Sequence, residues 1–292
     1  VYGAAGSGAR VMTSSSSPGI SLKQEGISYI AGADLPCVIV NIQRSGPGLG
    51  GILPAQGDYF QSTRGGGHGD YHLVVYAPST VQEAVTLTME AFDVADQYRM
   101  PVMILGDGIL GQVMEPVEFT KPKKRDLPPK DWATTGNDGS RENNVINSLY
   151  IEAEPLYERT LKMYEKYDQI AKNETQYELY KTADAEIIVT AFGSASRIVK
   201  SVVDSLAEEG IRVGMIRPIT LWPFPYDIFN QFACSDSVKK FLSVEMNMGQ
   251  MIQDVKLGVN GKKPVEFFGR CGGIVPTSDE IKEKIMEMIQ EV

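Results

Sequence analysis

One arginine, Arg44, lies where its side chain could bind an acidic group. It directly follows an apolar stretch predicted as a strand (residues 36–42) and precedes a loop, residues 45–69, in which nine of 25 residues are glycine. Such a loop is typical of a functional site, because glycine lets the backbone approach a ligand closely. A guanidinium binds a carboxylate through two parallel hydrogen bonds. The position fits a clamp for an acidic substrate, and it equally fits a structural salt bridge or a solvated arginine.

A turn rich in small residues lies just before a helix predicted over residues 21–33. Within it, Ser16, Ser17, Pro18 and Gly19 offer hydroxyl and backbone N–H groups at a helix start, where anions and polar ligands bind well. A plain helix cap is the simpler alternative, because serine and threonine are preferred caps. The turn is not a phosphate-binding P-loop, since no Gly-Lys-Ser/Thr follows it.

The chain has two histidines, His68 and His72, both in or beside the glycine-rich loop. No cysteine or further histidine is near them in sequence, so we expect no metal site. We interpret His68, within GGGHGD, as a polar contact that lines the substrate loop together with Gly46 and Gly48.

Three other segments have two interpretations each. Asp107 lies at the end of a predicted strand, where it fits either a helix cap or a loop anchor. Residues 193–196 (GSAS) carry a weak phosphate-binding signal, but any strand-to-helix turn needs similar residues. The aromatic stretch 220–225 (TLWPFP) fits a subunit contact as well as local packing.

The composition is that of an ordinary globular protein. The 292 residues suffice for two domains, with 42% hydrophobic and 22% charged residues. A net charge of −9 argues against a nucleic-acid surface. Three scattered cysteines argue against a disulfide framework and against an iron–sulfur or zinc site within this chain, and they fit a reducing cytoplasm. We also predict no membrane segment, since no apolar run approaches 18 residues.

The elements that would position these residues alternate between strand and helix. This alternation predicts a parallel sheet with right-handed crossovers, and hence an α/β fold. In the first domain, residues 1–150, we predict strands over 10–13, 36–42, 73–77 and 101–105 and helices over 21–33 and 80–99, the second capped by Ser79. Residues 120–148 read as an irregular excursion.

A second α/β unit follows a connecting segment, residues 151–182, which we interpret as one long surface helix over 151–181. The second domain covers residues 183–292. Its predicted strands cover 186–192, 212–216, 239–245 and 265–269, and its predicted helices cover 197–209, 249–258 and 278–290.

Taken together, these segments resemble the alpha subunit of the 2-oxoacid:ferredoxin oxidoreductases, and among them the 2-oxoisovalerate (branched-chain) type. The resemblance covers nearly the whole chain. It is carried by GARVMTSSSSPGISLKQEGISY, VIVNIQRSGPGLGG, PAQGD, GGGHGDYH, PSTVQEA, PVMILGDG, RPITLWPFP and VEMNMGQM.

The resemblance implies a pyrimidine-type thiamine diphosphate-binding α/β domain, N-terminally truncated here, followed by a transketolase C-terminal-like α/β domain. Thiamine diphosphate and Mg²⁺ would be shared with a beta subunit, and [4Fe-4S] clusters would lie in partner subunits only. Gamma and ferredoxin-like delta subunits would complete the enzyme. The implied reaction is the oxidative decarboxylation of a 2-oxoacid with coenzyme A, giving acyl-CoA, CO₂ and reduced ferredoxin.

Individual residues also correspond. Arg44 falls on the family arginine that holds the substrate carboxylate. Ser16–Gly19 fall on a turn near the cofactor that family members often write Ser-Gly-Pro-Gly, and Ser17 stands here in place of its glycine. The family's pyrimidine-binding glutamate and its Tyr-Pro-x-Thr-Pro turn would lie upstream of Val1, so we expect a truncated subunit that binds the cofactor poorly alone.

Two other functions fit the same features. One is a subunit of a thiamine diphosphate enzyme that does not need ferredoxin. The other is a non-catalytic α/β protein whose glycine loop only binds a partner. The choice of 2-oxoisovalerate as substrate rests on the resemblance alone, since Arg44 would bind only the carboxylate that all 2-oxoacids share.

Overall fold

A computed structural model describes residues 1–120 and 124–290 of the chain. Residues 121–123, in the predicted excursion, and residues 291–292, at the end of the predicted second domain, lie outside the described part. The described strands form two five-stranded sheets. None of the described helices has the length and apolar character needed to cross a membrane.

The first sheet has the strand order β1-β2-β4-β3-β8, and only its last pair is antiparallel. Its strands are β1 (Met12–Ser15), β2 (Cys37–Gln43), β3 (Val74–Tyr76), β4 (Pro101–Asp107) and β8 (Thr220–Trp222). Strands β2 and β4 are largely apolar and buried, as expected of parallel strands with helices on both faces. Strands β1 and β2 end at the same edge of the sheet, where ligands of open α/β sheets bind.

Helices cover this sheet with their apolar faces. They are α1 (Tyr2–Gly6), α2 (Pro18–Gly32), α3 (Tyr59–Thr63), α4 (Val81–Tyr98) and α5 (Ala153–Asn173). Ile20 and Ile27 of α2 and Leu87 and Val94 of α4 are buried in the core that contains β2 and β4. Residues 124–148 contain neither helix nor strand, in agreement with the predicted excursion.

The second sheet has the order β10-β9-β6-β7-β5, with only β5 antiparallel. Its strands are β5 (Tyr177–Tyr180), β6 (Ile187–Thr190), β7 (Val213–Pro218), β9 (Lys240–Glu245) and β10 (Val265–Gly269). The helices of this half are α6 (Gly193–Glu208), α7 (Tyr226–Ala233), α8 (Met251–Val259) and α9 (Ser278–Gln290). The bounds predicted for β10 and α9 are confirmed.

The long helix predicted over residues 151–181 is wrong at its C-terminal end. Helix α5 ends at Asn173, and residues 177–180 form the edge strand β5, which pairs with β7. The helix is also more than a surface connector, because Met163, Tyr167 and Ile170 are buried in the first core. Tertiary pairing at an open sheet edge has here overridden the local preference for helix.

Other predictions need smaller corrections. The cap of α4 is Thr80 rather than Ser79, since Thr80 Oγ1 accepts the N–H of Glu83 at 3.1 Å. Residues 220–225, where no strand was predicted, contain β8, and helices α3 and α7 were not predicted. The division at residues 150 and 183 stays a prediction. It would place β5 in the connector, and β8 of the predicted second domain pairs with β3 of the first sheet.

Candidate functional site

A cavity of about 530 Å³ lies beyond the carboxyl ends of β1 and β2. Its lining brings together five of the predicted site residues, Ser17, Pro18, Arg44, Gly46 and Gly48. The N-terminus of α2 with its cap residue supplies two of them, and the end of β2 with the loop after it supplies the rest. Two segments far apart in sequence therefore meet at this edge because β1 and β2 are parallel neighbours.

The Arg44 side chain uses only part of its hydrogen-bonding capacity within the described residues. Its Nη2 donates a hydrogen bond to the Leu49 carbonyl at 3.2 Å, while its Nε is buried and has no hydrogen-bond partner among the described residues. Within residues 1–120 and 124–290 it forms no ion pair. The structure therefore does not support the structural salt bridge among the alternatives for this residue, and it leaves donors available to an acidic ligand.

Ser17 does not act as a simple helix cap. It occupies the N-cap position of α2, yet its side chain makes no capping hydrogen bond. Its hydroxyl instead donates to Asp58 Oδ2 at 2.6 Å and accepts the backbone N–H of Arg44 at 3.0 Å. The turn before α2 is thereby tied to the end of β2.

Ser16 and Gly19 support this turn but are not part of the cavity lining. The Ser16 carbonyl accepts the Gly19 N–H at 2.8 Å. A Cβ atom on Gly19 would lie 2.0 Å from Ser15 Oγ, so this position tolerates a side chain only if Ser15 moves. Of the four predicted cofactor-binding residues, only Ser17 and Pro18 line the cavity in this chain.

The sequence analysis missed a polar network beneath the cavity. Asn41 Nδ2 donates to Asp58 Oδ2 at 2.9 Å, and Asn41 Oδ1 accepts the Ser17 N–H at 3.1 Å. Gln43 Oε1 accepts the Asp58 N–H at 3.0 Å. Asn41 and Gln43 are buried polar residues in an otherwise apolar strand. Since buried polar groups need hydrogen-bond partners, those two residues were the available signal.

The opposite wall of the cavity comes from the segment after β9. Met246, Asn247, Met248 and Gln250 line it. The fully buried Gln56 joins this wall to the glycine-rich loop, because Met246 N–H donates to Gln56 Oε1 at 3.0 Å and Gln56 N–H donates to the Met246 carbonyl at 2.9 Å. Both halves of the chain therefore build the site.

Glu245 holds that wall in place. It is fully buried at the end of β9, and its carboxylate accepts the N–H groups of Gln250, Met251 and Ile252 at 3.1, 2.8 and 2.8 Å. Burial raises the pKa of Glu245, although these N–H groups act in the opposite direction. The carboxylate thereby anchors the start of α8 beside the cavity.

A second buried carboxylate, Asp254 of α8, joins the two halves near the site. It accepts the hydroxyls of Tyr59 at 2.7 Å and Tyr226 at 2.5 Å, and Arg64 donates to it at 2.9 Å. Burial and the nearby Asp254 raise the pKa of Tyr59, so its hydroxyl stays protonated as a donor. This cluster anchors α3, and with it the loop segment that carries Asp58.

His68 is placed elsewhere. It lines a separate cavity of about 380 Å³ with Tyr71 and Arg159, so the chain does not bring it together with Arg44. Its role in the substrate loop stays a prediction. His72, in contrast, is packed against Trp222 with the rings 4.6 Å apart, and this contact favours local packing for the TLWPFP segment.

Asp107 is a loop anchor, which was one of its two predicted roles. Its Oδ1 accepts the N–H groups of Ile109 and Leu110 at 2.9 and 3.2 Å, and its Oδ2 accepts the Ser194 hydroxyl. Residues 193–196 begin helix α6 directly after β6, and all four are buried. This arrangement favours the tight strand-to-helix turn over a phosphate site.

Comparison with known families gives two matches that together cover almost the whole chain. Residues 1–186 match the family model described as pyruvate flavodoxin/ferredoxin oxidoreductase, thiamine diphosphate-binding. Residues 185–281 match the model described as pyruvate:ferredoxin oxidoreductase core domain II.

Curated relatives are similar over nearly the full chain. The ketoisovalerate oxidoreductase subunit VorB of Methanothermobacter thermautotrophicus is 49% identical, covering 99% of this chain and 81% of the relative. The 2-oxoglutarate synthase subunit KorA of Methanothermobacter marburgensis is 35% identical, covering 99% of this chain and 83% of the relative.

Solved structures share the fold. A 2-oxoglutarate:ferredoxin oxidoreductase from Magnetococcus marinus aligns with a TM-score of 0.82 at 23% identity, over 99% of this chain and 55% of that chain. A split-gene transketolase aligns with a TM-score of 0.55 at 11% identity, over 96% of this chain and 75% of that one. At these identities the likeness concerns the fold. With the family matches it confirms the predicted fold class, a thiamine diphosphate-binding α/β domain and a transketolase-like α/β domain.

Proposed function

This chain belongs to the 2-oxoacid:ferredoxin oxidoreductases, as the resemblance in its sequence indicated, and we propose that it is the subunit that binds the substrate carboxylate. In this proposal Arg44 holds the carboxylate of a 2-oxoacid in the cavity beyond β1 and β2. The enzyme then decarboxylates the 2-oxoacid oxidatively and transfers the acyl group to coenzyme A, with ferredoxin as electron acceptor.

The state of Arg44 is the observation that carries the proposal. Its buried Nε has no partner, and it forms no ion pair in the described part of the chain, yet it lies at the wall of a cavity. A buried donor without an acceptor is costly, so a ligand that supplies two oxygen atoms would be bound preferentially. A carboxylate supplies them in the geometry of the guanidinium.

Thiamine diphosphate fits this cavity in part. Pro18 and Met246 offer apolar contact to a ring, and Ser17 offers a polar edge. Arg44 is the only cationic side chain of the lining in the described part, and it would leave most of the diphosphate charge unbalanced. We therefore propose that a beta subunit supplies the diphosphate and Mg²⁺ site. When bound, the cofactor supplies the electron sink for decarboxylation.

The residues of this chain would orient the substrate and the cofactor. Arg44 would fix the carboxylate, and Gly46 and Gly48 would let the loop approach the substrate without side-chain interference. Ser16, Ser17, Pro18 and Gly19 would form the turn beside the cofactor.

We further propose 2-oxoisovalerate as the substrate, because the relative named for ketoisovalerate is 49% identical whereas the one named for 2-oxoglutarate is 35% identical. Beta, gamma and ferredoxin-like delta subunits would complete the enzyme, with [4Fe-4S] clusters in those partners and a cytoplasmic location. Neither nucleic acid nor a membrane is part of the proposal.

Co-expression tests this proposal. The chain, tagged and produced with the products of its neighbouring genes, is purified and assayed for reduction of a viologen dye. We expect a brown complex whose activity requires both a 2-oxoacid and coenzyme A and is highest with 2-oxoisovalerate. Dye reduction without coenzyme A and ferredoxin-type partners would favour a ferredoxin-independent enzyme. A colourless, inactive chain that is purified alone despite soluble neighbours would favour the partner-binding protein.

A further inference from the structure

Asp58 has a position and a set of contacts that its helix does not explain. It precedes α3 as the N-cap residue, yet its side chain makes no capping hydrogen bond. Its Oδ2 instead accepts the Ser17 hydroxyl at 2.6 Å and Asn41 Nδ2 at 2.9 Å. It is the only carboxylate among the cavity-lining residues of the described chain, and no cation within that part pairs with it.

The contacts of Asp58 lead to Arg44 through one intermediate hydroxyl. The Ser17 hydroxyl, which donates its hydrogen to Asp58, accepts the backbone N–H of Arg44 at 3.0 Å. Asn41 closes the ring by donating to Asp58 and accepting the Ser17 N–H at 3.1 Å. Because the Ser17 hydroxyl directs its hydrogen to Asp58, its oxygen is oriented to accept the Arg44 N–H. Through this hydroxyl, Asp58 helps to fix the position of the Arg44 main chain.

The backbone of Arg44 is also bridged to Pro54, but its side chain is held lightly. Its side chain makes one hydrogen bond to the protein, to the Leu49 carbonyl at 3.2 Å, and Leu49 is 86% exposed in the glycine-rich loop. The direction of the guanidinium therefore depends on the backbone at position 44. Binding geometry that is held by a second layer of hydrogen bonds is typical of sites that orient a ligand.

We propose that Asp58 is a positioning residue for the substrate, acting through Ser17 and Asn41 on Arg44. This inference rests on the proposed function, in which Arg44 binds the carboxylate of the 2-oxoacid. Asp58 itself does not contact the substrate carboxylate in this proposal. Its Oδ2 is the shared acceptor that orients the Ser17 hydroxyl and the Asn41 amide.

The test uses the assembled enzyme and a double-mutant cycle. Asp58→Ala removes the shared acceptor, and we expect KM for 2-oxoisovalerate to rise about tenfold with a smaller change in kcat. Asp58→Asn keeps an oxygen acceptor and should stay within about twofold of wild type. The non-reacting acid isovalerate, as a competitive inhibitor, reports carboxylate binding without turnover, and its Ki should shift in parallel with KM. Asp184→Asn, at an exposed position, is the control for the substitution.

The combination with Arg44→Lys distinguishes positioning from general stability. If Asp58 acts through Arg44, the double variant Asp58→Ala/Arg44→Lys should have about the same KM as Arg44→Lys alone, because the two changes disable one interaction. Independent effects would multiply and would overturn the proposal. A wild-type KM and Ki in Asp58→Ala would overturn it as well.

Two further outcomes keep the inference separate from the proposed function. If Asp58→Ala does not assemble, Ser17→Ala removes the next hydroxyl of the same network, and a wild-type isovalerate Ki in that variant contradicts the proposal. If Arg44→Lys itself binds isovalerate and 2-oxoisovalerate normally, the carboxylate clamp fails and the inference fails with it. If Arg44→Lys is impaired while Asp58→Ala is normal, only the positioning role fails.

Discussion

Replacing Arg44 by lysine is the sharpest perturbation of the proposed site. Lysine keeps the positive charge but has a single ammonium group in place of the planar fork, so it cannot donate two parallel hydrogen bonds to one carboxylate. Arg44 Nη2 is already bonded to the Leu49 carbonyl at 3.2 Å, whereas its buried Nε has no partner among the described residues. The substitution thus removes the planar fork of Arg44, including a donor that this part of the chain leaves unused.

The size of the effect follows from the loss of one charge-assisted hydrogen bond. Such a bond contributes about 1.5–3 kcal/mol, which corresponds to a decrease of roughly 10- to 100-fold in kcat/KM. Because the carboxylate is present in the ground state as well as in the transition state, we expect most of the loss to appear as a raised KM.

The assay measures dye reduction by the assembled enzyme over a range of 2-oxoisovalerate concentrations at saturating coenzyme A. Arg141→Lys is the matched control, since Arg141 is exposed and bonds only to backbone carbonyls of its own loop, those of Gly136 and Glu142. If the kinetics of Arg44→Lys equal those of the control, Arg44 does not bind the substrate carboxylate, and the remaining interpretation is a solvated surface arginine.

Three further predictions concern stability, measured by urea unfolding of the purified chain. Burial lowers the pKa of His72 below its usual 6.5, so in acid the unfolded chain binds a proton that the folded chain does not. The His72 contribution to the free energy of unfolding should therefore be fully present above pH 6.5 and decrease as the pH falls below it. His72→Phe should abolish this part of the pH dependence of the unfolding free energy. Gly26 lies at an exposed position inside α2 with nothing within 4 Å of an added Cβ, so Gly26→Ala should stabilise the folded chain by about 0.5–1 kcal/mol. Gly258→Ala should destabilise it, because the added Cβ would lie 2.8 Å from an aromatic side chain of α7. Equal effects of the two substitutions would contradict this explanation. Arg217→Leu leaves the partly buried Glu83 carboxylate without its cation and leaves Glu178 with Lys200 alone, so it should cost about 3 kcal/mol of unfolding free energy. Arg212→Leu, in an exposed pair, should cost less than about 1 kcal/mol.

The parts of the fold that could be predicted are those in which local pattern and tertiary environment agree. Strand β10 and helix α9 have the predicted bounds, and the apolar run of β2 is a buried parallel strand with a shift of one residue. Two of the errors lie at open sheet edges, where a short segment pairs as an additional strand. Strand β5 replaced the end of a predicted helix, and the three-residue β8 pairs with β3 although proline follows it. No local signal specifies such pairing.

The residues of the candidate site also differ in how far the sequence could predict them. Arg44 was predicted as a site residue because it directly follows a buried strand, and the family resemblance implies the same role. Asp58 could not, since its importance depends on the loop folding back so that its carboxylate meets Ser17 and Asn41. The buried amides of β2 were the accessible clue, because polar side chains in a buried strand require partners that the strand itself does not provide.

The wall after β9 shows why the cavity requires the whole chain. Gln56 exchanges two hydrogen bonds with the backbone of Met246 and donates a third to the Phe192 carbonyl at 2.8 Å. One side chain from the glycine-rich loop thus bonds to the main chain after β6 and after β9. A loop with so many glycines would otherwise lose much entropy on ordering. These hydrogen bonds offset part of that cost, so the second half of the chain holds the loop that carries Gly46, Gly48 and Asp58 beside Arg44.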